Sequence, residues 1–190
     1  MSPGDGIAPF LFTGLALLCA AVAWSDFRSR RIPNAWLAGG LLYAFIVLTW
    51  FALPGGFALW WRAIGFALLG MLIGFGLSWP ALFTRQLAPG DVKFLMVIGF
   101  FLGPIGAVFA LLNAALVGGV WAMVLAWRHG GLAHVGHNLR FMARSAWLNG
   151  FRHIGWDLRS DGALRMPYGV ALAVGAWSVI AWQLWRHGAA

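Results

Sequence analysis

Residues 94–127 read FLMVIGFFLGPIGAVFALLNAALVGGVWAMVLAW, and this apolar stretch decides the fold. As one straight helix it would be about 50 Å long, whereas the hydrocarbon core of a bilayer is about 30 Å thick. Gly103 and Pro104 stand inside it, and a glycine followed by a proline typically ends a helix. The stretch therefore predicts two membrane spans that meet near residues 103–106, the first of them short.

The rest of the chain has the same apolar character. Its 190 residues are 62% hydrophobic and 9% charged, with a mean hydropathy of +0.81. A soluble domain of this length has too little interior to bury so much apolar surface. Further apolar stretches cover 7–25, 35–53, 57–80 and 166–185. We therefore predict an all-α, polytopic membrane helix bundle of about six transmembrane helices, forming a single domain over residues 1–190.

Basic residues are concentrated in three loops that six spans would place on one side of the membrane. These loops, 27–34, 81–93 and 128–165, contain eleven of the thirteen Lys and Arg residues. Because cytoplasmic loops are enriched in Lys and Arg, we expect these loops in the cytoplasm and both termini outside the inner membrane. Topology and anionic lipid account for the net charge of +8, so no nucleic-acid partner is predicted.

The longest polar segment, residues 128–165, has a pattern of its own. Its apolar residues recur at three- and four-residue spacing, with arginines off that stripe. This spacing predicts one or two interfacial amphipathic helices, and docking of the segment against the bundle is an alternative interpretation.

Acidic residues are rare, since the chain has five Asp and no Glu. Asp26 closes the first span, and Asp91 opens the fourth in 88-APGDVK-93. An ionisable group at the edge of a span is a functional candidate, because burying its charge near lipid is costly. The predicted topology places both aspartates on the cytoplasmic face. Two carboxyls a few Å apart share a proton, so one could activate a water while the other hydrogen-bonds a peptide carbonyl.

Each aspartate also has a simpler interpretation. Asp91 follows a Pro-Gly turn and could merely cap a helix. Asp26 could pair with a nearby arginine at the surface. Asn34 is interpreted as the N-cap of the second span, and Asn113 as a polar contact between helices.

The chain also contains glycines within a predicted span and a few potential metal ligands. Glycines in the third span suit close helix packing in lipid, namely Gly65, Gly70, Gly74 and Gly76. Cys19 is the sole cysteine, which excludes an internal disulfide and a Cys-based zinc site. His134 and His137 could share a helix face, but no acidic residue or cysteine lies near them in the sequence. No metal or cofactor is predicted.

Three segments, in this order, resemble those of type IV prepilin peptidases. The first runs from Asp26-Phe27-Arg28 to Arg31-Ile32-Pro33-Asn34, the second is 88-APGDVK-93, and the third is Pro167-Tyr168-Gly169. The second resembles the Gly-x-Gly-Asp segment of the family, with Ala88 in place of the first glycine. The resemblance implies that Asp26 and Asp91 are the catalytic pair. It also implies supporting roles for Gly90, Lys93, Pro33, Asn34, Pro167, Tyr168 and Gly169.

The resemblance also implies a substrate. It would be a prepilin or pseudopilin, cut where its basic cytoplasmic leader meets its apolar membrane helix. The sequence contains no N-terminal cysteine pairs of the kind that accompany N-methylation in longer relatives. It therefore resembles the short peptidases of Flp/Tad-type pili or the archaeal preflagellin peptidases. The oligomeric state stays open.

Other function classes also stay open. The chain could be a proton-coupled transporter subunit, although such a protein more often carries an acid in the middle of a span. It could be a non-catalytic pilus-assembly protein. It could also be a presenilin-type protease, whose first aspartate would lie deeper in its span.

Overall fold

Five helices make up the part of the chain that the structure describes. The computed structural model describes residues 6–83, 87–128 and 168–188, and all regular structure there is helical. The helices are α1 (Ala8–Ser29), α2 (Asn34–Ala52), α3 (Phe57–Phe83), α4 (Pro89–Arg128) and α5 (Tyr168–Gly188), with a 3-10 turn at Leu53–Gly55. Each α-helix is long and apolar enough to cross a membrane. The all-α membrane fold predicted from composition is confirmed, whereas the interfacial helices predicted in 128–165 lie outside the described residues.

The predicted break in the longest apolar stretch is confirmed. Gly103 interrupts α4 with φ 74° and ψ −176°, a combination that is essentially restricted to glycine. Pro104 follows it, and its missing N–H removes a helical hydrogen bond at the same point.

The second half of α4 bends back toward the start of the helix. The charge of Asp26 acts on Asp91, so these two residues mark one end of the bundle. Gly169 lies at that end because its N–H bonds Asp26, and Gly175 follows about 9 Å further along α5. Gly175 packs against the backbone of Ala114, which a straight α4 would carry about 35 Å beyond Asp91. The contact requires a sharp bend at the break, which gives six apolar helical segments.

Glycines bring α3 and the first half of α4 into close contact. A Cβ on Gly70 would meet the backbone of Gly99 and Gly103, and one on Gly74 would lie 2.7 Å from the carbonyl oxygen of Leu95. The predicted packing role is thus confirmed at these two positions. At Gly65 and Gly76 a Cβ would meet nothing within 4 Å among the described residues, so the predicted packing role stays a prediction at these two positions.

Each aspartate lies on the buried face of its helix. On α1 this face carries Leu15, Cys19, Val22 and Asp26, and on α4 it carries Asp91, Phe94, Leu95 and Ile98. The spacing of three and four residues keeps each set on one side of its helix. Both carboxyl groups therefore point into the bundle.

Candidate active site

The loop after α1 folds onto the start of α4. Arg30 ends α1 in the left-handed conformation, with φ 52° and ψ 36°. The Ser25 hydroxyl donates a 2.8 Å hydrogen bond to the carbonyl oxygen of Arg31 and holds the loop against the helix end. This arrangement places Ile32 beside Gly90, where its Cβ would lie 3.5 Å from a Cβ on the glycine. The first and second sequence segments are therefore in contact.

A second link joins α2 to α4. The Lys93 ammonium donates a 3.3 Å hydrogen bond to the side-chain oxygen of Asn34. The prediction that Asn34 caps α2 is wrong, since Asn34 is the first helical residue and Pro33 is the N-cap. Pro33, with φ −65° and ψ 122°, already supplies the extended residue that precedes a helix, and no side chain caps this end.

Asp26 is held at the first turn of α5. Its side chain is 6% exposed, so the interpretation of Asp26 as a surface residue is wrong. The N–H of Gly169 donates a 2.8 Å hydrogen bond to its Oδ2 atom. N–H groups in the first turn of a helix have no partner within that helix, and the carboxylate satisfies this one. The positive charge of Arg30 also acts on Asp26.

Asp91 is the third residue of α4 and is 7% exposed. It is not the N-cap, but its Oδ2 atom accepts a 3.3 Å hydrogen bond from the N–H of Ala88. This bond is half of a capping box, so the capping interpretation describes part of its environment. Within the described ranges, the sole non-glycine residue with positive φ is Arg30. Ala88 thus adopts no conformation that would require the glycine expected at its position.

The bundle brings the two carboxyl groups together from distant parts of the chain. Asp26 comes from the end of α1 and Asp91 from the start of α4, and the charge of the first acts on the second. Both side chains are buried, and each accepts a backbone hydrogen bond. Two buried carboxyls that interact in this way disfavour double ionisation, because a negative charge on one opposes a negative charge on the other.

The other predicted site residues differ in whether their side chains are exposed and in what they contact. Lys93 follows Asp91 by two residues, which places it about 200° around the helix, and its side chain is exposed. Tyr168 begins α5 with an exposed side chain. A Cβ on Gly90 would be in ordinary van der Waals contact with Ile32, so no backbone among the described residues approaches Gly90 closely enough to require glycine there. Pro167 lies outside the described residues.

Sequence reasoning missed the role of Ser25. No sequence pattern marks a serine that bonds a carbonyl six residues later, so this contact needed the structure. In the described ranges, no group of three or more His, Cys, Asp or Glu side chains is arranged to hold a metal. His134 and His137 lie outside those ranges.

Comparison with known proteins identifies the family. A model of the type IV leader peptidase family matches residues 13–123, which is more than half of the chain. The match includes both aspartates and ends before α5. No curated protein and no solved structure shows significant similarity to the chain. The sequence resemblance is therefore confirmed, and the chain belongs to the type IV leader peptidase family.

Proposed function

We propose that the protein is an aspartic endopeptidase that removes the leader of type IV prepilins or pseudopilins, with Asp26 and Asp91 as its catalytic pair. The observation that carries the proposal is the electrostatic interaction of two buried carboxyl groups inside the region that matches the family. Peptide hydrolysis by two carboxyls requires this arrangement, in which one is ionised and the other protonated.

The chemical step follows from that arrangement. The ionised carboxylate takes a proton from a water molecule, and the water oxygen attacks the carbonyl carbon of the scissile peptide bond. The protonated carboxyl donates a hydrogen bond to the carbonyl oxygen as negative charge develops there. The C–N bond then breaks, and the departing amine receives a proton from the pair.

We place the reaction at the cytoplasmic face of the inner membrane, with both termini outside. The basic loops support this orientation. On α1, Trp24 and Phe27 flank Asp26 and are 65% and 67% exposed. Tryptophan favours the membrane interface, so Trp24 supports a site at headgroup level where a leader meets its membrane helix.

We further propose a Flp-type substrate and a single peptidase domain over residues 1–190 without N-methyltransferase activity. The bilayer is the other expected partner, and the two carboxyls need no cofactor for the step above. The paired cysteines that accompany methylation in longer relatives do not occur in this sequence, whose one cysteine is Cys19.

Co-expression with a Flp-type prepilin tests the proposal. Leader removal is measured by the mass of the pilin, in cells that produce the wild type, Asp26→Asn or Asp91→Asn at equal membrane levels. We expect each substitution to lower cleavage by about a hundredfold or more, because general acid–base catalysis is lost. Asp157→Asn, the same chemical change outside the matched region, is the control and should cleave normally. The mass of the mature pilin should also show an unmethylated N-terminus.

Two results would overturn the proposal. Normal cleavage by both pair variants would leave Asp91 as a capping residue only. The wild type could instead process none of several prepilins and support transport driven by a proton gradient. That result would establish the protein as a transporter subunit.

A further inference from the structure

We propose that the two aspartates have fixed and different roles, and that the backbone N–H of Gly169 maintains the difference. In this assignment Asp26 is the carboxylate that activates water and Asp91 is the protonated partner. Gly169 is then a positioning residue that acts through Asp26. The inference rests on the proposed peptidase function and goes beyond it, because the two-carboxyl mechanism works with either assignment.

The hydrogen bonds of the two carboxyls are unequal. Asp26 accepts the 2.8 Å bond from Gly169, and the next N–H of the same helix, that of Val170, also favours its negative charge. Among the described residues, Asp91 accepts one backbone bond, from Ala88, and it is longer at 3.3 Å. Bonds from N–H groups stabilise a carboxylate more than a neutral carboxylic acid. The hydrogen bonding therefore favours the negative charge on Asp26.

The charge of Arg30 and the N-terminus of α5 act in the same direction. From α1, the guanidinium of Arg30 acts on Asp26. From α5, the first-turn N–H groups present the positive end of the helix dipole to it. From α4, the titratable group that interacts with Asp26 is Asp91, which is the uncharged partner in this assignment. Asp91 also lies in the first turn of a helix, α4. A negative charge on Asp26, however, disfavours a second negative charge on Asp91.

Glycine at position 169 is required by the space around Asp26. A Cβ on Gly169 would lie 2.8 Å from Oδ2, 3.0 Å from Cγ and 3.1 Å from Cβ of Asp26. These distances are shorter than ordinary van der Waals contact, so the carboxyl group would have to move away, which weakens its hydrogen bond with the N–H of residue 169. Alanine is otherwise a better helix former than glycine, so any loss of activity would come from this contact.

The test is the pH profile of purified Gly169→Ala on a synthetic prepilin peptide. Weakening the bond makes ionisation of Asp26 harder, so the acidic limb of kcat should move to higher pH by about one pH unit. We expect kcat at neutral pH to fall by about tenfold and KM to stay nearly unchanged. An acidic limb that stays at its wild-type position would overturn the role of Gly169.

Two other glycines provide matched controls. A Cβ on Gly65 in α3 would meet nothing within 4 Å among the described residues, so Gly65→Ala should match the wild type. Gly175→Ala lies on the same helix as Gly169, but its Cβ would meet the backbone of Ala110 and Ala114. It should lower the yield of folded enzyme without moving the acidic limb. A shift of that limb in Gly175→Ala as large as in Gly169→Ala would mean that the effect is structural, and it would also overturn the inference.

The assignment of roles has a second test that needs no change at Gly169. The amide of Asp91→Asn can still donate a hydrogen bond to the substrate carbonyl, so residual cleavage should remain and its basic limb should disappear. Asp26→Asn should retain less activity, because it lacks the base. The reverse order of residual activities would overturn the assignment but leave the peptidase function intact, whereas normal cleavage by both variants would remove the peptidase function itself.

Discussion

The close contact of α3 with α4 makes Gly70→Ala a decisive substitution. The added Cβ would meet the carbonyl oxygen of Gly99 and would lie 2.7 and 2.8 Å from the C and Cα atoms of Gly103. These three nearest atoms are all backbone atoms, so no side-chain rotation can relieve the clash with them and the two helices must separate. Overpacking of this kind typically costs about 1–3 kcal/mol.

A matched variant on the same helix isolates that cost. A Cβ on Gly76 meets nothing within 4 Å among the described residues. Gly76→Ala therefore keeps the gain in helix propensity, up to about 1 kcal/mol, without the clash. The free energies of unfolding of the two variants should differ by about 1–3 kcal/mol, with Gly70→Ala the less stable.

Unfolding by SDS in mixed micelles, followed by tryptophan fluorescence, measures this difference, and the chain has 13 Trp residues to report it. Cleavage by Gly70→Ala should also fall, because the first half of α4 carries Asp91 and would be displaced. Equal stability of the two variants would show that α3 and α4 do not approach as closely as their backbones indicate, and it would refute the reasoning.

Two further predictions concern α4. Gly103→Ala should destabilise the protein by about 1–3 kcal/mol, because its backbone conformation is strained for any residue with a Cβ, while Gly119→Ala on the same helix should not. SDS unfolding checks both, and equal midpoints would contradict the break as described. The 2.7 Å hydrogen bond from Asn113 to Ser178 should give a coupling of about 0.6 kcal/mol in a double-mutant cycle of Asn113→Ala and Ser178→Ala. Strict additivity would show that the bond does not join α4 to α5.

Hydropathy and charge predicted much of the architecture because they are local properties of the chain. Apolar stretches located the helices, although α1 continues past its predicted end so that Asp26 lies within the helix. The break at Gly103 was predictable because glycine and proline act on their own backbone. Asn113 was predictable as a helix contact, since an amide within a span needs a polar partner.

Individual contacts were predicted less well, because they depend on which helices face each other. Gly70 and Gly76 are equivalent in the sequence, yet among the described residues a neighbouring backbone lies against Gly70 and none lies against Gly76. Asn is a residue type that often caps helices, but Pro33 occupies the N-cap position of α2. The side-chain oxygen of Asn34 instead accepts a hydrogen bond from Lys93. In spans that are apolar on every side, the buried face of a helix cannot be read from hydropathy.

The candidate site shows the same division between local and tertiary information. The sequence by itself determined that two aspartates stand at the ends of spans, and its charge pattern predicted that they share one membrane face. Only the tertiary structure decided that both are buried, that they interact, and that the N–H of Gly169 bonds Asp26 across 143 residues of chain. The spacing of residues along the chain and their preference for water or lipid are properties of the sequence. The interaction between the two carboxyl groups exists only after α1, α4 and α5 have packed together.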